Sequence, residues 1–329
     1  MGLGIIGCGT IAAVYLQALT RLEDTCRVAA LYDLHPQKAQ ALALPGVRLC
    51  RSLEEMLCCP GVDRVVISTP LHTHTRIARA CLEHKKHVLL EKPATLSPEE
   101  LEELFALAER QGVIFRVAFH AAFALDLEWY LRELGSTDPV YGIPRLREIE
   151  CGFFDPYMPD GRVIEDRKAL GGSYIDSGVN SLSVCSRLVP LERMALESHS
   201  TRQTEEGIVY ASRTEFSDGC VRITLHTGWD GPVSKKYTRL GFEGTDTVLL
   251  LEHTDQSVWL LDPAGQRQLL YRHSQTERLV NQYIGVFREF AAVTEKPGTQ
   301  THRRQADQVH RLLLCAREAA PGREKEKQK

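Results

Sequence analysis

Over the first 120 residues, apolar runs alternate with amphipathic segments, a rhythm that predicts βαβ units around a parallel sheet. Residues 3–6 read as the first strand and 11–22 as the helix behind it. Residues 27–32 read as a second strand, 36–43 as a short helix, 52–57 as a helical turn and 64–68 as a buried strand. Residues 75–84 place Ile77, Ala78, Cys81 and Leu82 at helical spacing, and 87–90 form the next strand. The following helix carries its own punctuation. Ser97 is the N-cap, Pro98 takes the first helical position, Glu100 completes a capping box and Gly112 stops the helix. Its apolar face is Leu101, Leu104, Phe105 and Ala108. Residues 113–119 close this part as a last strand.

Beyond residue 121 the rhythm changes. A helix over 125–134 is followed by strand-like runs at 145–151, 208–216, 220–227, 237–242, 247–252 and 258–261, then helices near 279–293 and 306–319. Successive strands without intervening helices indicate an antiparallel sheet in an α+β domain. The expected fold is therefore α/β: an N-terminal Rossmann domain with a doubly wound parallel sheet over 1–120, and a C-terminal α+β domain with a mainly antiparallel sheet over 121–321. Residues 322–329 are charged or small, without an apolar side chain, and read as a disordered tail.

Composition narrows the partners. At 329 residues the chain is long enough for two cores, and 43% hydrophobic with 25% charged residues is the balance of a soluble globular protein. A net charge of −3 argues against nucleic acid or an anionic membrane as the main partner. The sequence contains no apolar stretch long enough for a membrane span, and it opens in a strand pattern without a basic, apolar signal segment. A cytoplasmic location is the expectation. The ten cysteines form no C-x-x-C pair, so they read as reduced, mostly buried small side chains. His72-Thr73-His74 has no third ligand in sequence, and no metal site is expected from it.

The chemistry starts at Gly7-Cys8-Gly9-Thr10-Ile11-Ala12, a G-x-G-x-x-A turn between a strand and a helix. Gly7 permits the tight turn, Gly9 lets the backbone approach a pyrophosphate and Ala12 keeps helix and sheet close. The helix N-terminus supplies N–H groups and partial positive charge. Asp33, 24 residues past Gly9, ends the second strand, where a carboxylate accepts from ribose hydroxyls and repels a 2′-phosphate. A turn or cap aspartate before His35-Pro36 is the plainer reading of Asp33. The combination points to NAD, while Lys38 and Arg51 could neutralise a phosphate and leave NADP open.

Lys92 follows the strand at 87–90 in the tripeptide Glu91-Lys92-Pro93. In open α/β sheets ligands bind outside the carboxyl ends of the strands. Pro93 fixes its own φ and biases Lys92 to extended geometry. Alone, this is more simply a solvated lysine at a strand end. Downstream of a dinucleotide turn, it reads as a proton-transfer group beside a nicotinamide.

These segments, with Thr69-Pro70, His74 and Asp176-Ser177-Gly178-Val179-Asn180, give a chain that resembles the glucose–fructose oxidoreductase, inositol dehydrogenase and MocA family. The resemblance implies cofactor contacts from Gly7, Cys8, Gly9, Thr10, Ile11, Asp33, Glu91 and Lys92, with Thr69, Pro70 and His74 forming a wall near the nicotinamide. It implies that Lys92 touches both the substrate hydroxyl and the nicotinamide ribose. It also implies a homodimer or homotetramer built through the antiparallel sheet. Leu71 stands where the family often has asparagine.

The second departure bears on mechanism. The family's common D-x-G-x-H ends here in Asn180, whose amide cannot titrate near neutral pH. Asn180-Ser181-Leu182-Ser183 is similar to the aldose 1-dehydrogenase subgroup, which would make the reacting carbon C1 of an aldose. His120 and Trp229 resemble sugar-contacting positions of that subgroup. The simpler readings are a satisfied interior histidine and ordinary aromatic packing. Lys92 and Asp176 are then the groups left to move the proton, with Asn180 orienting a sugar oxygen. Three functions stand: an NAD-dependent sugar dehydrogenase, a related enzyme acting on a cyclitol, keto sugar or nucleotide sugar, and a non-catalytic NAD- and sugar-binding sensor.

Overall fold

The structure, a computed structural model, describes residues 2–22, 25–135, 145–274, 277–292 and 296–319. The expected tail at 322–329 lies outside the described residues. The chain divides into two compact units. One joins Met1–Phe123 to Glu277–Asp307, and the other joins Ala124–Thr276 to Gln308–Lys329.

The first unit is built on a six-stranded sheet in the order β3-β2-β1-β4-β5-β6. Its strands are β1 (Gly2–Ile6), β2 (Arg27–Tyr32), β3 (Arg48–Leu49), β4 (Arg64–Ile67), β5 (His87–Glu91) and β6 (Phe115–Ala118). Every pairing is parallel. The apolar runs read from sequence are thus strands covered on both faces. Helices α1 (Thr10–Thr20), α2 (Pro36–Ala41), α3 (Leu53–Leu57), α4 (His74–Glu83) and α5 (Pro98–Gln111) connect them. The chain winds outward from β1 through β2 to β3, then returns to lay β4 against the other side of β1. That reversal creates the switch point at which doubly wound sheets bind ligands.

The α5 signals are largely met. Ser97 accepts from the Glu100 backbone N–H at 3.2 Å, and Gly112 takes the left-handed conformation at φ 69°. The capping box itself is half built. Ser97 N–H is taken by Thr95 Oγ1 at 3.1 Å, and the Glu100 carboxylate accepts instead from Thr95 and Thr75 hydroxyls. A hydroxyl two residues upstream reaches the open N–H first. Strand β3 escaped the sequence pattern because two exposed edge residues show no alternation.

One return of the chain departs from the expected 1–120 and 121–321 division. Helix α9 (Arg278–Ala292) belongs with the first unit, as does the opening part of α10 (Lys296–Ala319). The reason is aromatic packing. Tyr283 lies edge-on to Tyr15 of α1 with ring centroids 4.9 Å apart, and Phe287 meets the same tyrosine at 5.5 Å. Both helices share one buried core with Leu3 and Ile5 of the central strand.

The second unit carries an eight-stranded sheet in the order β14-β13-β12-β11-β7-β10-β9-β8. Its strands are β7 (Leu146–Phe154), β8 (Ala195–Gln203), β9 (Val209–Ser217), β10 (Arg222–Gly228), β11 (Lys235–Phe242), β12 (Val248–Glu252), β13 (Ser257–Leu261) and β14 (Arg267–Arg272). All neighbours run antiparallel except β7 and β10, which are parallel. Strands β8 and β14 were not expected. They are the two edges of the sheet and are mostly exposed, so they lack the apolar alternation of a buried strand. Helices α6 (Leu125–Glu133), α7 (Glu165–Lys168) and α8 (Val179–Leu188) complete the unit.

Candidate active site

In the first unit, the expected residues fall at the carboxyl ends of five parallel strands. Gly7 follows β1, Asp33 follows β2, Thr69 and Pro70 follow β4, Lys92 follows β5 and His120 follows β6. Residues spread over more than a hundred positions share one edge because parallel strands all finish on the same side.

The glycine turn is built by two different requirements. Gly7 has φ +94°, and a Cβ there would lie 2.7 Å from the Ser68 carbonyl oxygen, so both conformation and space demand glycine. Ser68 Oγ donates to the Gly7 carbonyl at 2.8 Å and ties β1 to β4. A Cβ on Gly9 would meet no atom within 4 Å, so space stands open above that backbone. Gly9 is the N-cap of α1 and supplies no side-chain cap, leaving the helix N-terminus for an external anion. Thr10 and Ile11 open this first turn. Together these features fit a pyrophosphate.

Asp33 does two jobs. One carboxylate oxygen accepts from Cys8 N–H at 2.7 Å and the other from His35 N–H at 2.8 Å. The turn reading of Asp33 is met: it pins the glycine loop to β2, and its carboxylate retains lone pairs for further donors. Burial first, then the Asp33 charge, push the Cys8 thiol up to about 12, so Cys8 stays protonated and shapes the loop as a small side chain.

His74, at the start of α4, is buried and faces carbonyl oxygens on both sides. Nε2 lies 2.9 Å from Thr69 O, and Nδ1 lies 3.1 Å from Pro93 O and 3.3 Å from Ala94 O. It bridges the segments after β4 and β5, which carry Thr69-Pro70 and Lys92. Burial lowers its pKa despite those carbonyls, so the ring is neutral and donates from one nitrogen only. His74 is a positioning residue.

Glu91 turns inward. Its Oε1 accepts from the hydroxyls of Tyr15 and Tyr283, the latter at 2.6 Å, and Oε2 accepts from Lys92 N–H at 3.1 Å. Burial, with the Glu91 charge second, drives both tyrosine pKa values well up, which keeps them as donors. Lys92 is half-buried, and its peptide bond to Pro93 is cis. His120 is buried, with Nδ1 2.9 Å from Gln282 Oε1 and its ring tilted over Tyr283 at 5.1 Å. Tyr15, Tyr283, Gln282 and Ser68 escaped the sequence reading. A buried glutamate at a strand end needs donors, but nothing in one sequence says which helix supplies them.

In the second unit, Asp176 sits in a π-helical turn, Tyr174–Gly178, that runs directly into α8. Such turns re-aim side chains and recur at functional sites. Asn180 Nδ2 donates to the Asp176 carbonyl at 3.2 Å. Asn180 Oδ1 is buried without a hydrogen-bond partner among the described residues, an acceptor open to a donor. Trp229 differs from the expected sugar contact. Its side chain is fully buried and packed edge-on against Tyr157 at 5.8 Å, which leaves no face open to stack on a sugar, and its Nε1 has no hydrogen-bond partner among the described residues.

A parallel sheet in 3-2-1-4-5-6 order, an uncapped glycine turn and an acid after β2 define a dinucleotide-binding protein of the Rossmann class. Residues 1–119 match the oxidoreductase family with an NAD-binding Rossmann fold, GFO_IDH_MocA. Inositol 2-dehydrogenase 1 of Mycolicibacterium vanbaalenii is 32% identical over 76% of this chain and 82% of its own. The chain belongs to this family, named for glucose–fructose oxidoreductase, inositol dehydrogenase and MocA. The dTDP-3,4-didehydro-2,6-dideoxy-alpha-D-glucose 3-reductase of Streptomyces antibioticus is 26% identical over 95% of this chain and 96% of its own. An uncharacterized oxidoreductase of Bacillus subtilis, YrbE, is 24% identical over 57% of this chain, which spans 54% of that protein. Among solved structures, a 3-ketoreductase from Actinomadura kijaniata in complex with NADP and TDP-benzene superposes with TM-score 0.79 at 18% identity, covering 97% of this chain and 98% of that one. Among the described residues no helix is long and apolar enough to cross a membrane.

Proposed function

We propose that the protein is an NAD-dependent sugar oxidoreductase that moves hydride between a sugar carbinol carbon and nicotinamide. The observation that carries this is the convergence, in one unit, of the open Gly9 backbone, Asp33 and Lys92 at the carboxyl ends of β1, β2 and β5 of one parallel sheet. Bound NAD supplies the hydride acceptor. Gly7 to Ile11 hold the pyrophosphate, Asp33 holds the adenosine ribose, and Thr69, Pro70 and the His74-braced turn bound the nicotinamide end.

Lys92 takes the hydroxyl proton, a role that requires its neutral form. Asp176 accepts from the substrate and shares the proton. Asn180 Oδ1, buried and unpartnered, receives a sugar hydroxyl and orients the ring. His120 bounds the substrate from the end of β6. The reacting carbon assigned by the D-x-G-x-N segment is C1 of an aldose. A reading on nucleotide sugars or cyclitols has its own support: the dTDP-sugar 3-reductase aligns along nearly the whole chain, and an inositol dehydrogenase is 32% identical. A homodimer or homotetramer through the eight-stranded sheet, in the cytoplasm, completes the proposal.

The deciding experiment follows NADH production across aldoses, cyclitols, polyols and dTDP-sugars, with Lys92→Ala beside the native protein. Turnover of an aldose with loss of about 10²–10⁴-fold in Lys92→Ala supports the reading, in line with a general base. Tight NAD binding without turnover of any sugar makes the protein a sensor, and undiminished activity in Lys92→Ala removes this residue from the mechanism.

A further inference from the structure

Three electron-pair donors meet on the surface of the first unit, on residues that the dinucleotide reading does not use. Glu54 lies in the first turn of α3, Cys58 is the C-cap of that helix, and His84 is the C-cap of α4. A four-residue spacing puts Glu54 and Cys58 on one helical face. The ligand atoms of all three lie within 4.8 Å of one another. Cys58 Sγ is 3.4 Å and His84 Nε2 is 3.7 Å from the same carboxylate oxygen, Glu54 Oε1.

The tautomer of His84 is set by its other nitrogen. Nδ1 lies 2.9 Å from the Ala80 carbonyl, and a carbonyl only accepts, so Nδ1 carries the proton. In the neutral ring Nε2 then presents a lone pair toward a carboxylate oxygen. Two acceptors facing each other repel unless a cation stands between them or the ring is protonated. A backbone carbonyl behind a histidine is also the usual outer-shell support of a metal ligand.

We propose that Glu54, Cys58 and His84 form an open, three-ligand site for a zinc-class divalent cation. Zinc with bonds of about 2.3 Å to sulfur and about 2.0–2.1 Å to nitrogen and oxygen sets tetrahedral donors roughly 3.3–3.6 Å apart, close to the 3.4 Å and 3.7 Å that separate Cys58 and His84 from Glu54. Glutamate, thiolate and imidazole are each ordinary zinc ligands, and solvent takes the fourth position. The cation clamps the carboxyl ends of α3 and α4 together, outside the glycine turn and Lys92. Binding to the Cys58 thiolate displaces the thiol proton, so affinity strengthens as pH rises.

Cobalt(II) titration of tag-free, reduced, full-length protein is the test. The expected result is a thiolate-to-cobalt charge-transfer band that saturates at one equivalent and disappears when zinc is added. Cys58→Ser abolishes the band, and His84→Gln weakens cobalt binding at least tenfold. Cys220→Ser, which changes the other exposed cysteine, retains the band. Circular dichroism and NADH production remain as in the native protein for all three variants, which separates this site from the proposed oxidoreductase centre. Absence of the band, its persistence in Cys58→Ser, or unchanged affinity in His84→Gln would overturn the proposal and leave a protonated His84–Glu54 ion pair as the explanation.

Discussion

Tyr283 donates its hydroxyl proton to the Glu91 carboxylate at 2.6 Å across 192 residues of sequence. The carboxylate precedes Lys92 directly and accepts from the Lys92 backbone N–H, so a C-terminal helix braces the turn that presents the lysine. Replacing Tyr283 with Phe leaves a buried carboxylate short of a donor. The expected cost is about 1–3 kcal/mol of stability, read as a lower urea midpoint at constant slope. Tyr15→Phe acts in the same direction, and the pair is non-additive because both hydroxyls serve one oxygen.

Gly7 and Gly9 should separate folding from binding. Gly7→Ala places a methyl against the Ser68 carbonyl in a left-handed conformation and destabilises the protein by more than the ~1 kcal/mol that the same change gains at a permissive site, read as a lower melting temperature. Gly9→Ala meets only open space, so the protein melts normally while NAD binding, followed by calorimetry, weakens at least tenfold. Equal effects of both on stability would contradict the assignment of the space above Gly9 to a ligand.

Asp33→Ser is expected to cut the NAD-to-NADP ratio of kcat/KM by about tenfold or more, a difference of ~1.4 kcal/mol. Because Asp33 also holds Cys8 N–H, Asp33→Ala should weaken both cofactors and lower stability, whereas Ser retains an acceptor. A native preference for NADP would refute the role given to this carboxylate.

Asn180→Ala removes a buried acceptor that has no protein partner. The Nδ2 donation to the Asp176 carbonyl is the hydrogen bond lost, so stability should fall by no more than about 1 kcal/mol, while KM for the sugar rises more than kcat falls. Steady-state kinetics with a fixed NAD concentration gives the split; an unchanged KM would place the substrate elsewhere.

His74 supplies a pH signature. Burial depresses its folded pKa below the unfolded 6.5, so the unfolded chain binds the extra proton first. Its contribution is complete above about pH 6.5 and is lost as pH falls through the lower folded value. Melting temperatures of His74→Gln should therefore depend less on pH below 6.5 than those of the native protein. His87, His199 and His226 shift in the same direction, so part of the acid sensitivity persists.

The Rossmann half was legible from residues alone because its signals are local. Strand periodicity, the Gly7 and Gly9 turn, Asp33 after the second strand and Lys92 after the fifth depend on neighbours a few positions away. The partners of those residues were not. Tyr283 and Gln282 arrive on a helix whose apolar stripe marks it as amphipathic without saying which surface it covers. Edge strands β8 and β14 were hidden by exposure, since a strand with little to bury has no apolar alternation to show.

Trp229 shows the same limit at a candidate site residue. Aromatic side chains serve cores and sugar sites alike, and complete burial against Tyr157 chose the core. Local sequence thus specified where Gly7, Gly9, Asp33 and Lys92 lie, because backbone geometry and strand ends are set over short ranges. Tertiary packing alone decided that Glu91 faces two tyrosines and that Asn180 keeps a bare acceptor, because burial and hydrogen-bond partners come from distant parts of the chain.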